Sequence, residues 1–240
     1  MAAKKKNAFW ANVKECLGHS VVPMLMYLAM SGVLLIVVLR KADENGNVST
    51  TLLLTTAVIC GVLAAAYNAL MAWACGGTHY EQLVSGNMKR KAAYESGYEL
   101  NISTYKAQKE YRPWKGFLIG FFIGLPTLLG GIFFGCMQGK IQSQTTAQYE
   151  AIFLLVFEFL AGWATLPFQY TNAAHYGLSA IFCLVPIAVT GVFYIVGAYA
   201  KRAKAVKKQM MADRAAAEAA AKPKKINYGG LPGTKPKKKR

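Results

Sequence analysis

The sequence predicts an all-α polytopic membrane protein with four to five transmembrane helices, one of them a candidate re-entrant segment. Three observations carry this. Apolar residues make up 54 % of the 240 residues and charged residues only 16 %. The charges are segregated: between residues 117 and 200 the only formal charges are Lys140, Glu150 and Glu158. Apolar runs fall at 21–39, 52–74, 117–137, 151–168 and 178–200, and runs of about 20 residues suffice to span a hydrocarbon core ~30 Å thick. Five regions follow: a basic, interfacial N-terminal segment (1–20), a first transmembrane hairpin (21–74), a basic Tyr-rich loop (75–116), a second transmembrane region with three apolar segments (117–200) and a basic tail (201–240).

The N-terminal segment carries Lys4, Lys5 and Lys6, then Phe9, Val13 and Leu17 at helical spacing with Trp10 beside them. It is either a short interfacial helix or the foot of the first span, with Lys14 and Glu15 off the apolar stripe. The run at 21–39 ends in Arg40 and Lys41 without a small-residue cleavage site, so it is expected to stay as an anchor rather than leave as a signal peptide. Pro23 falls in its first turn, where a missing N–H costs little. Asn45-Gly46 signals a turn before the second run, and Asn47-Val48-Ser49 matches a glycosylation sequon. Gly61, Ala64, Ala65 and Ala69 give the second run a small-residue surface, with Asn68 placed for an interhelical hydrogen bond.

Gly76-Gly77 is expected to end the second run and open the loop. That loop holds Lys89, Arg90, Lys91, Lys106, Lys109, Arg112 and Lys115. Tyr94, Tyr98, Ile102 and Tyr105 form one aromatic stripe if the segment is helical, lying at the headgroups or offering stacking surfaces to an RNA. Trp114 sits where an interfacial belt residue belongs. His79 and Glu81 read as solvated loop residues, since the other histidines, His19 and His175, lie far away in sequence. The third run contains Gly120-x-x-x-Gly124 and Gly131-x-x-x-Gly135, spacings of close helix contact. Pro126 in its middle is expected to kink or break it, giving either a tightly packed span or a re-entrant hairpin. The fourth run is the shortest and carries Glu158. A charge at mid-bilayer costs roughly 2.5–3.5 kcal/mol on insertion scales, so Glu158 is a candidate functional residue alongside Pro126 and Asn68. The tail is Ala/Lys/Glu-rich to about Ala221, expected to be helical, then Lys/Pro/Gly-rich and expected to be disordered.

Charge also bears on topology. Lys and Arg number 28, with 4 before residue 21, 7 in the central loop and 14 after Ala200. Five full crossings would divide these between the two sides; an even number keeps them together, as the positive-inside rule prefers. One run must then fail to cross, either the third or the fourth. The chain is thus expected in the plasma membrane with both termini cytoplasmic. Lys89, Arg90, Lys91, Arg112, Lys115, Lys201, Arg202, Lys237, Lys238, Lys239 and Arg240 would touch anionic lipid or, less directly, a ribosome or other nucleic acid. A membrane-protein partner or a second copy is a further expected contact. The five cysteines show no paired spacing and read as free thiols. No P-loop, Gly-x-Ser-x-Gly, His-Glu-x-x-His or dinucleotide fingerprint occurs, so no catalytic residue, cofactor or metal is assigned. Two functions are expected: a non-enzymatic scaffold or accessory subunit, or a transport component using Glu158 and a broken third segment.

Overall fold

The structure is a computed structural model that describes residues 2–41, 48–96, 109–143, 145–171 and 175–221. Among these every regular element is helical: α1 (Ala2–Lys41), α2 (Thr50–Ser96), α3 (Pro113–Gln142), α4 (Gln148–Tyr170), a 3-10 helix (Tyr176–Cys183) and α5 (Leu184–Ala221). Five helical segments are long and apolar enough to cross a membrane, as an all-α multi-pass membrane protein requires. The chain forms two units, Met1–Arg202 and Ala203–Arg240; the second is helical to Ala221 and exposed wherever its side chains are described.

Within the first unit, α1 and α2 run antiparallel, with Glu15 meeting His79 at one end and Val38 packing in a cluster with Val48 and Leu53 at the other. A second core cluster joins Tyr27 of α1, Ala64 of α2, Ile119 and Ile123 of α3 and Trp163 of α4. Outward surfaces are apolar as well: Ile36, Val62 and Phe153 are each more than half exposed, which suits a lipid-facing exterior.

Glycine determines how α3 meets the last transmembrane segment. A Cβ at Gly120 would lie 2.7 Å from the Pro186 carbonyl oxygen, one at Gly124 2.7 Å from that of Cys183, and one at Gly135 2.9 Å from the Gly177 Cα; one at Gly131 would collide with the backbone of Ala180. These contacts run in opposite order along the two segments, so α3 lies antiparallel to the 3-10 helix and α5 with backbones nearly touching. Both expected glycine pairs are therefore packing surfaces. Of the two readings of the third run, the tightly packed helix holds and the hairpin does not: α3 passes through Pro126 as one 30-residue helix, about 45 Å long at 1.5 Å per residue. Pro113 occupies its first turn, where the ring costs nothing.

Of the two readings of the N-terminal segment, the foot of the first run holds, because α1 is continuous from Ala2. One expectation is corrected: Gly76-Gly77 does not end α2, which runs on to Ser96. The pair is there because α5 passes too close for side chains: a Cβ on Gly76 would overlap the Tyr194 carbonyl oxygen, and one on Gly77 would lie 3.0 Å from Lys201 Cγ.

The path of α4 differs from its neighbours. Its first turn is tied to the end of α3: Glu150 accepts from Lys140 and from the Ala147 N–H at 2.9 Å, the reach-back half of a capping box. It then descends along α3, with Phe157 stacked on Phe133 (4.4 Å) and the Trp163 Nε1–H donating to Thr127 Oγ1 (3.1 Å). Yet the next helix starts beside the same end of α3, where the Tyr176 N–H donates to Gln138 Oε1 (3.1 Å). The linker from Thr171 to Tyr176 reaches at most about 18 Å. Along α3, Lys115 is about 35 Å from Gln138. Thus α4 cannot end at the Lys115 end of the bundle; it begins and ends in the half that holds Gln138. Four segments run the length of the unit and the fourth apolar run does not.

Candidate functional site

At the end of the bundle that holds Lys115, polar and charged side chains converge in the interior. The foot of α1 is inside-out by the standard of a soluble helix. Phe9, Trp10 and Leu17 point outward, about half exposed or more. Asn12, Cys16 and Ser20 are buried, and the Glu15 side chain is only 9 % exposed. From the first turn of α3, Lys115 enters the same space and is 0 % exposed. Its ammonium donates to Glu15 Oε2 (3.0 Å) and to the Glu110 carbonyl (3.0 Å). The other carboxylate oxygen, Glu15 Oε1, lies 3.3 Å from His79 Nε2. His79 is buried, and its Nδ1 lies 2.7 Å from the Tyr194 hydroxyl of α5.

Tyr194 is itself fully buried and fits because Gly76 and Gly116 leave room on either side. Tyr111 stacks on it at 5.3 Å, and burial pushes the Tyr111 phenol up. The segment before α3 is held down from two directions: the Tyr111 N–H donates to the His79 carbonyl (3.0 Å), and Glu110 pairs with Arg90 at 2.7 Å. Charges of opposite sign are thus interleaved inside the bundle end, as removal from water requires.

Beside Glu15 and His79 lie two more donors. Cys75 Sγ is 3.8 Å from His79 Nε2, and the His19 ring lies 5.2 Å from that of His79. A cavity of about 220 Å³ reaches from His19 and Cys75 to Asn68 and Thr190. A larger apolar pocket, about 450 Å³, lies between Gly61 of α2, Trp163 and Pro167 of α4 and Val185 of α5.

Several residues singled out in the sequence take other places. Lys115 does not face lipid: it is an interior cation, buried against Glu15. Glu15, expected off the apolar stripe, is turned inward to meet it. His79 is no solvated loop residue, because α2 continues past it. Asn68 donates to Thr190 Oγ1 at 2.9 Å, the expected interhelical bond. Glu158 is half-buried on α4. Trp10 and Trp114 are exposed, and Tyr94 is 90 % exposed. Among the basic residues, Lys91 pairs with Glu95 (3.7 Å) and Lys201 with Glu81 (2.6 Å); Lys89, Arg112 and Arg202 are exposed. All five cysteines are free. Asn45, Gly46, Asn47, Tyr98, Ile102, Tyr105, Lys106, Lys237, Lys238, Lys239 and Arg240 lie outside the described residues.

One signal for the buried cluster is present in the sequence. Glu15 and His19 are four residues apart, as are Cys75 and His79, so each pair shares a helix face. No protein-family model, curated protein or solved structure matches the chain.

Proposed function

We propose that the chain is a non-enzymatic membrane scaffold or accessory subunit, with four crossings and both termini cytoplasmic, whose basic end gathers anionic lipid headgroups. The observation that supports this reading is the return of α4 to the half where it began. With α4 dipping into one leaflet, the foot of α1, the extension of α2, the start of α3 and the end of the last crossing fall on one side. That side collects the 4 basic residues before residue 21, the 7 between residues 75 and 116 and the start of the 14 after Ala200; Arg40, Lys41 and Lys140 fall on the other. The positive-inside bias then favours a cytoplasmic basic end. Transport is the weaker reading, because it relied on a broken third segment and α3 is continuous.

The test is lipid preference. The full chain is reconstituted with fluorescent phosphatidylserine or phosphatidylcholine, and energy transfer from its tryptophans measures which lipid gathers around it. Each basic residue near an anionic leaflet adds about 1 kcal/mol, so Lys89→Ser, Arg90→Ser and Lys91→Ser with truncation after Ala221 should lower the preference for the anionic lipid several-fold. An unchanged preference refutes the reading. Glu158→Gln should leave lipid preference as it was; loss of an ion or proton flux in that variant would favour transport instead.

A further inference from the structure

We infer that His19, Cys75 and His79 form a binding site for a divalent transition-metal ion of the zinc class, completed by Glu15. Donor atoms of the first three, from α1 and α2, all lie within 4.8 Å of one another. A tetrahedral zinc site with N or O ligands at about 2.0–2.1 Å and sulfur at about 2.3 Å has edges of about 3.3 Å between nitrogen and oxygen and about 3.6 Å between nitrogen and sulfur. Here His79 Nε2 is 3.3 Å from Glu15 Oε1 and 3.8 Å from Cys75 Sγ. Cys75 Sγ also lies 3.9 Å from Nδ1, beside the ring, so a rotation of the Cys75 side chain toward the Nε2 edge, with the exposed His19 ring swinging onto the fourth corner, completes a tetrahedron.

The surroundings suit a cation at that point. Glu15 Oε1 is buried and receives no hydrogen bond. With the His79 Nδ1–H given to the Tyr194 hydroxyl, the Nε2 lone pair also faces the centre. In that tautomer two acceptors and a thiol converge on one point, the place that a proton on Nε2 fills when the ring instead donates to Glu15. The hydroxyl of Tyr194 supplies the outer partner that fixes a ligating imidazole and its tautomer. On the far side, Lys115 neutralises the remaining oxygen of Glu15. Binding releases the Cys75 proton to solvent, leaving the thiolate as ligand. A sulfur, two imidazoles and a carboxylate select zinc, cobalt or copper over magnesium or calcium. His19 is exposed while His79 is buried, so the ion has a route in past His19, and the adjoining cavity holds space on the inner side.

The experiment uses the full chain in detergent, stripped with a chelator and titrated with Co²⁺. Expected are one equivalent bound, a near-ultraviolet sulfur-to-cobalt charge-transfer band, intense tetrahedral visible bands, and displacement by Zn²⁺. Cys75→Ser should abolish the charge-transfer band, while Cys136→Ser, at an exposed free cysteine, should keep it. His19→Gln, at an exposed position that folding tolerates, should weaken binding at least tenfold; Tyr194→Phe should weaken it about 10- to 100-fold, as loss of an outer-shell partner does. Absence of the band in the unaltered protein, its survival in Cys75→Ser, or full affinity in His19→Gln would overturn the site and leave Glu15 and His79 as a plain ion pair.

Discussion

Lys115 and Glu15 are worth more as a pair than as individuals. An isolated buried charge is costly, and removing one member of a buried pair typically costs 3–5 kcal/mol because the other is left uncompensated. Lys115→Met should therefore lower stability by about that amount in detergent unfolding. Glu15→Gln combined with Lys115→Met should recover most of it. A single variant within about 0.5 kcal/mol of the parent, the usual effect at an open surface site, would mean that the ammonium is solvated and the cluster is not closed. Glycines offer a test by sign at the same scale. Replacing Gly by Ala inside a helix ordinarily stabilises by about 0.5–1 kcal/mol, and Gly18 has open space around its Cα, so Gly18→Ala should follow that rule. At Gly76 the new methyl meets the backbone of Tyr194, so Gly76→Ala should destabilise by about 1–3 kcal/mol, as overpacking does. Equal effects at the two positions would show that α2 and α5 are not in backbone contact.

Among the elements, α4 is the one whose path matters most for topology. The segregation of apolar and charged residues made the helical class and the apolar segments readable directly from the sequence. Whether a segment crosses is a different question, since length and hydropathy are necessary and not sufficient. The charge balance pointed to an even number of crossings and offered two candidates for the exception. Glycine and proline made the third run one candidate, and short length with Glu158 made the fourth the other; glycine in the third serves close packing against Pro186 and Cys183, and the helix holds. What bears on the choice is that Tyr176, five residues after Thr171, begins beside Gln138. A cysteine at Ser143 and one at Thr171, each in a Cys-free background, should accordingly be labelled by an impermeant maleimide from the same side of the membrane, and one at Ser85 from the opposite side. Labelling of Thr171 from the side of Ser85 would make α4 a full crossing and put the tail opposite the foot of α1. The same scale explains why the cluster was hidden. Reading Gly76-Gly77 as a helix end removed the register that puts Cys75 and His79 on one face. The apolar stripe at the foot of α1 placed Glu15 off it but not inside the bundle, whereas in a membrane-facing helix the apolar stripe turns outward and the polar stripe turns in.

For the whole molecule, the bundle sorts its charges into two populations that answer differently to salt. Lys115, Glu15 and Glu110 are enclosed, with little solvent to screen them. Lys89, Arg112 and Arg202 are exposed, as are Lys204, Lys207, Lys208 and Arg214 of the second unit. Screening acts over about 10 Å at 0.1 M ionic strength and about 3 Å at 1 M. If the outer charges gather anionic lipid, raising salt from 0.1 to 1 M should bring the preference for phosphatidylserine close to that for phosphatidylcholine. The unfolding midpoint, governed by apolar packing and the enclosed pairs, should move little over the same range. Retained lipid preference at 1 M would point to a specific headgroup pocket rather than a diffuse field. A midpoint that fell together with the preference would mean that the enclosed pairs are reached by ions, and with them the cavity between His19 and Asn68.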